Sequence, residues 1–274
     1  MHCGILRRSG RPGVALFAGV AFLLIGAGCG SDERSPSGVD GTTSSSEVAA
    51  VASSAATTTT TEPTTTTAEP TTTTIDPVEV VIETMTMQDK IGQMLMPVVR
   101  GTGVEAVTNA DLAYNTALSG FGTPAEIVDG YRLGGIMYLG PNVESPEQIE
   151  RFSTDLQRTA AEVGLLPMFI AVDQEGGRVQ RIRGDGVTDV ASARSLAGDA
   201  DLVYSTALIT GREMRDLGVN VVFAPVADVV RSDVGVIGNR SYGSDPAVVS
   251  EMVESSIAGL QEARVAAVAK HWPG

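Results

Sequence analysis

The 274-residue chain is acidic, with a formal net charge of −14, and 43% of its residues are hydrophobic. That balance excludes a basic nucleic-acid surface and a polybasic membrane patch, and it leaves enough apolar material for a sizeable core. Two cysteines (Cys3, Cys29) and two histidines (His2, His271) supply neither a disulfide framework nor a Cys/His zinc site in the folding part.

Residues 1–28 have the plan of an export signal. Arg7, Arg8 and Arg11 precede an apolar run from Val14 to Ile25, the order of charge and hydrophobicity that a secretory signal uses. The run is too short to cross about 30 Å of hydrocarbon comfortably. It leads into Gly26-Ala-Gly-Cys29, which resembles a bacterial lipobox except at Gly26, where an aliphatic residue is usual. The expectation is cleavage before Cys29, lipidation of that thiol, and a membrane-anchored protein on the extracytoplasmic face. Residues 29–76 are dominated by Thr, Ser and Ala, and Thr57 to Thr74 is nearly pure threonine broken by Glu-Pro. Such a segment cannot bury enough apolar surface to offset its ordering entropy, and reads as a disordered stalk.

Folding composition begins at Pro77 and continues to Gly274. Helical spacing is predicted over 78–86, with Thr86 as the cap of a second helix. A strand is predicted over 91–99, a Gly-rich insertion with a helical middle over 100–123, and a short helix over 123–131. Gly134 to Leu139 predicts a strand that ends at Asn142. Ser145-Pro146-Glu147 marks a helix start with proline at its first position, running to about Val163. Six residues from Pro167 to Val172 predict a strand buried on both faces. A helix follows from Asp199 to Leu217, closed by Gly218, then a strand from Val219 to Val226 that leads to Asp228. Asp245-Pro246 opens a helix to Ala263, and Val265 to Ala269 is one more strand, followed by Lys270 and His271.

Strands alternating with helices at this spacing predict an α/β fold with a parallel sheet. Polar residues come just after each predicted strand: Arg100, Asn142, Asp173, Asp228 and Lys270. Barrel enzymes of the β/α type place their chemistry there, and no G-x-G-x-x-G sits at a strand–helix turn to favour a Rossmann-like sheet. The expectation is a (β/α)8 barrel. About 195 residues follow the stalk, against about 250 for a complete barrel, so the expectation is five strands of a longer protein.

The densest polar cluster is Asp173-Gln-Glu-Gly-Gly-Arg-Val-Gln-Arg181, with Arg183 just beyond. Carboxylates, a glycine hinge and cationic forks can hold a polar ligand by hydroxyl and oxygen contacts. They can equally form a tight turn with surface ion pairs.

At this run the sequence resembles glycoside hydrolase family 3, in its β-N-acetylglucosaminidase branch. Three further motifs agree in order: Phe223-Ala-Pro-Val-Ala-Asp228, Ile237-Gly-Asn-Arg-Ser-Tyr-Gly-Ser-Asp245 and Lys270-His-Trp-Pro-Gly274. The resemblance implies a retaining hydrolase acting from the end of a glycan, with no cofactor and no metal, on a substrate with terminal N-acetylglucosamine such as a muropeptide or cell-wall fragment. It implies substrate contacts from Asp173, Arg181, Arg240, Lys270 and His271. The aspartate nucleophile and the histidine acid/base are expected beyond Gly274. Arg178 and Arg183 are expected to be structural or solvated, Glu175 to serve the turn, and Asp228 to orient Lys270 or cap a loop. Trp272 is expected in the core or a pocket wall. Three rivals stand beside this reading: β-glucosidase, an N-acetylglucosaminide phosphorylase, and a non-enzymatic solute-binding lipoprotein.

Overall fold

The computed structural model describes residues 76–231 and 235–272. The export segment, Cys29 and the Thr-rich stretch up to residue 75 lie outside the described residues, as do Pro273 and Gly274. Among the described residues no helix is long and apolar enough to cross a membrane.

Helix starts follow local chemistry. Helix α1 (Pro77–Thr84) is capped by Asp76, and α2 (Met87–Gln93), α3 (Asn109–Ser119) and α4 (Pro124–Tyr131) each begin with a reciprocal Thr-x-x-acid box. In each box the threonine hydroxyl and the acid three residues on satisfy backbone N–H groups that the first turn leaves unpaired. After β1 (Gly135–Tyr138) comes α5 (Pro146–Glu162), with Ser145 as cap and Pro146 at the first position. Next are β2 (Phe169–Val172), the small strands β3 (Gln174–Gly176) and β4 (Val179–Gln180), and a short α6 (Ala193–Leu196). Helix α7 (Ala200–Asp216), β5 (Val221–Val222), α8 (Pro246–Glu262) and β6 (Ala266–Ala267) complete the chain.

Strands β1, β2, β5 and β6 form one parallel sheet in that order. Each new strand is added on the same side of the last, with a helix between. Such consecutive order is that of a barrel wall and lacks the reversal of a Rossmann sheet. Among the described residues the sheet is an open arc of four strands, and it does not close into a barrel. Ile136, Tyr138, Ile170, Val172 and Val222 are buried in it. Over them lies a stripe of α5 at helical spacing: Ile149, Phe152, Leu156 and Ala160. Tyr138 is held inside by Ser153 Oγ at 3.1 Å and by the Phe152 ring at 5.1 Å.

Two expectations need correction. Residues 91–99 are not a strand: α2 runs through Gln93, and the following segment only accepts bonds from β1, Gly135 N to Leu95 O and Met137 N to Pro97 O. Pro97 has no N–H to donate, so the segment runs alongside β1 without forming a ladder. The last two strands are also shorter than predicted. The ladder from Val221 to Val222 is interrupted at Pro225 and resumes as a bridge between Val226 and Lys270. At the other end, Asn220 replaces ladder partners with its side chain, accepting from Ile170 N and donating to Met168 O.

Candidate functional site

The site lies where the sheet's strands end. Asp173 directly follows β2, Glu175 is the middle residue of β3, and Asp228 follows the extended run from β5. The Val226–Lys270 bridge sets Lys270 and His271 beside that run, with Ala227 N donating to Lys270 O at 2.6 Å. Arg240 comes from a 3-10 turn at Gly238–Arg240. Segments nearly a hundred residues apart in sequence thus meet because parallel strands with helical crossovers put their carboxyl ends on one edge.

The β3–β4 hairpin is held rigidly under the site. Gln174 turns its amide away from Glu175, accepting from Arg181 N and Ile182 N and donating to Ile182 O. Gly176 has φ +88°, and a Cβ there would lie 2.6 Å from Ala191 O and 2.7 Å from Val190 Cγ1. A side chain at this position would therefore clash as well as strain the backbone.

Lys270 Nζ sits between two carboxylates, 2.6 Å from Asp173 Oδ1 and 2.5 Å from Glu175 Oε1. Arg240 grips Glu175 with two prongs, Nε to Oε2 at 2.7 Å and Nη2 to Oε1 at 2.8 Å. The Glu175 hydrogen bonds hold the Arg240 guanidinium above its ordinary range, against the opposing effect of burial. Arg181 Nη2 reaches Asp173 Oδ2 at 3.4 Å, a long contact. His271 Nδ1 pairs with Asp228 Oδ2 at 2.7 Å, and His271 Nε2 lies 3.4 Å from Arg240 Nη2. A neutral imidazole with its proton on Nδ1, donated to Asp228, would present Nε2 as an acceptor toward the guanidinium.

The five residues expected to contact substrate, Asp173, Arg181, Arg240, Lys270 and His271, therefore form one connected cluster. Glu175 is expected to serve the turn, yet its side chain is 4% exposed and joins Lys270 to Arg240. The turn itself is made by Gly177 and Arg178. A signal for Glu175 was present in the sequence: strand alternation gives Asp173 and Glu175 the same parity, so both side chains share one side. Asp228 orients His271 rather than Lys270. Trp272 is 96% exposed, because no described residue packs over it.

The other polar residues singled out in the sequence make structural contacts. Buried Asn142 accepts from Leu139 N and donates to Val99 O and Gly101 O, tying the end of β1 to the preceding segment. The Arg100 guanidinium lies over the Tyr114 ring, 4.3 Å from its centre. Arg178 donates to the carbonyls of Gly235, Val236 and Ile237, and Arg183 pairs with Asp189 and donates to Gly177 O. Ser241 Oγ donates to Asp228 O at 2.5 Å, and buried Tyr242 packs on Val203, Val249 and Met252, so the loop after Arg240 is anchored to α7 and α8.

Chemically the cluster is balanced. Asp173, Glu175 and Asp228 face Arg181, Arg240 and Lys270, three carboxylates against three cations. With two carboxylates beside it, the Lys270 ammonium keeps one N–H to spare, and Asp173 Oδ2 keeps lone pairs beyond its long contact with Arg181. An acceptor flanked by donors suits a neutral, hydroxyl-rich ligand. Among the described residues no cluster of three or more His, Cys, Asp or Glu side chains could hold a metal ion.

Residues 86–274 match the family described as "Glycosyl hydrolase family 3 N terminal domain". The beta-hexosaminidase LpqI of Mycobacterium tuberculosis is 38% identical over 155 residues, which are 54% of this chain and 38% of that protein. The chain thus spans well under half the length of this curated relative. A glycoside hydrolase family 3 beta-N-acetylglucosaminidase from Paenibacillus sp. superposes with a TM-score of 0.60 at 36% identity, covering 69% of this chain and 34% of that one. A family 3 glycosyl hydrolase structure from Mycobacterium smegmatis gives a TM-score of 0.53 at 38% identity, covering 70% of this chain and 52% of that one.

Proposed function

The chain belongs to glycoside hydrolase family 3, and from that membership we propose that it forms the sugar-holding part of an exo-acting β-N-acetylglucosaminidase. The observation that carries the proposal is the convergence of Asp173, Arg181, Lys270 and His271 around free acceptor and donor positions at the strand ends. Asp173 Oδ2 accepts from a hydroxyl of the terminal sugar, the spare N–H of Lys270 and the outer N–H groups of Arg181 donate to its oxygens, and Arg240 completes the ring of donors. The names of the similar proteins, beta-hexosaminidase and beta-N-acetylglucosaminidase, support N-acetylglucosamine as that sugar.

In this proposal the four-stranded arc is part of a (β/α)8 barrel, and the bond-breaking groups lie outside the described residues. Cleavage is retaining. An aspartate attacks the anomeric carbon as a histidine protonates the departing oxygen, and water then releases the sugar from the enzyme as the same histidine takes its proton. The substrates are muropeptides or cell-wall fragments ending in β-linked N-acetylglucosamine. Residues 1–28 direct export, Cys29 carries the lipid, and the Thr-rich stalk holds the enzyme off the membrane. The complete product of the encoding gene should release p-nitrophenol from the N-acetyl-β-glucosaminide faster than from the β-glucoside. Preference for the glucoside would contradict the proposal.

A further inference from the structure

We propose that Glu175 is a positioning and specificity-determining residue: it fixes Lys270 and Arg240 in relation to each other and keeps the site electrically neutral, so that the site takes an uncharged sugar and rejects anions. The inference rests on the sugar-site reading above and assigns a role to a residue that does not itself meet the ligand.

Three observations carry it. First, Glu175 is closed off from a ligand by its burial and its partners. Oε1 lies against both Lys270 Nζ and Arg240 Nη2, Oε2 accepts from Arg240 Nε, and the side chain is 4% exposed. Second, its backbone cannot drift. Gln174 staples the hairpin on one side and Gly176 abuts Val190 and Ala191 on the other. A rigid strand therefore presents a carboxylate that spans two cations from different loops. A two-pronged arginine contact fixes the plane of the guanidinium as well as its position. Third, Glu175 decides the sign of the charge. With it, three carboxylates face three cations; without it, Arg181, Arg240 and Lys270 outnumber Asp173 and Asp228. A cleft with a spare lysine N–H, an arginine fork and one uncompensated positive charge would be an oxyanion site.

The test uses N-trifluoroacetyl-D-glucosamine as a fluorine NMR probe on the whole chain, titrated in chloride and in inorganic phosphate at equal ionic strength. Wild type should bind the probe equally well in both. Glu175→Gln, nearly the same shape without the charge, should bind at least about tenfold more weakly in chloride, and phosphate should compete with the probe. Glu175→Asp keeps the charge but is one methylene short of reaching both cations. It should lose affinity while remaining insensitive to phosphate, and it supplies the test of the positioning role if Glu175→Gln does not fold. Binding by either folded variant within about threefold of wild type would overturn the positioning role. Phosphate competition in Glu175→Asp, or its absence in folded Glu175→Gln, would overturn the charge role. Wild type that binds no probe would sink the sugar-site reading and this inference together, whereas wild-type binding with an unaffected Glu175→Gln sinks only the inference.

Discussion

Asp173→Asn separates the proposed sugar-binding role of Asp173 from its part in the fold. In the native site Oδ1 accepts from Lys270 Nζ at 2.6 Å, with both side chains 14% exposed, while Oδ2 makes only the 3.4 Å contact with Arg181. Asparagine can keep its oxygen toward Lys270, but its amide nitrogen then occupies the place of Oδ2. A sugar hydroxyl that had donated to a carboxylate meets a donor instead. A hydrogen bond to a charged group contributes about 1.5–3 kcal/mol, and its loss here corresponds to affinity about 10- to 150-fold weaker. The Lys270 contact survives as a weaker, neutral-acceptor bond, so unfolding in urea should lose less than about 2 kcal/mol. Isothermal titration with N-acetylglucosamine and a urea melt of the same preparation measure both quantities. A variant that binds the sugar within about twofold of wild type would refute the assignment of Oδ2 as the acceptor.

Four other outcomes are expected. Asn142→Ala leaves Leu139 N, Val99 O and Gly101 O without their side-chain partner, and at about 1 kcal/mol per bond should cost about 3 kcal/mol in urea unfolding; a loss below 1 kcal/mol on that scale would contradict the pinning role. Gly92→Ala puts a Cβ 2.2 Å from Tyr131 O and 2.3 Å from Arg132 O, so thermal melting should drop sharply, and an unchanged melt would show that α2 and α4 can separate cheaply. The Asp89 carboxyl is held down to about 2, first by the Thr86 hydroxyl and then by Arg132. Its folded value lies below its unfolded one, so its stabilisation is present above the unfolded value near 3.8 and fades as pH falls toward about 2. Asp89→Asn should accordingly melt lower than wild type at neutral pH, with the gap closing at acid pH; a gap that stays constant with pH would refute the linkage. Finally, cells fed labelled palmitate should label the wild-type protein and not Cys29→Ala, and equal labelling would remove Cys29 as the anchor.

Much of this architecture was legible in the sequence because local chemistry decided it. Asp173 and the Lys270–His271 pair were read as strand-end residues, and they meet because apolar runs of strand length alternate with capped helices. The misses have physical causes. Residues 91–99 are as apolar as a strand, but Pro97 cannot donate to a ladder, and hydrophobicity does not report missing N–H groups. Glu175 looked like part of a glycine turn, and only the three-dimensional meeting of Lys270 and Arg240 reveals its task. Sequence alone leaves Asp228 between orienting Lys270 and capping a loop, whereas its carboxylate pairs with His271. The bridge at Val226 places both Lys270 and His271 beside its segment, and contact geometry alone distinguishes them.

The central claim is that the strand-end cluster holds a terminal N-acetylglucosamine. A crystal structure of the chain with that sugar tests it most directly. The account predicts a sugar hydroxyl within hydrogen-bonding distance of Asp173 Oδ2, a second oxygen at Lys270 Nζ, and Glu175 still bound to Arg240 beneath them. A sugar bound elsewhere on the molecule, with the Asp173–Lys270 cluster left untouched, would contradict it.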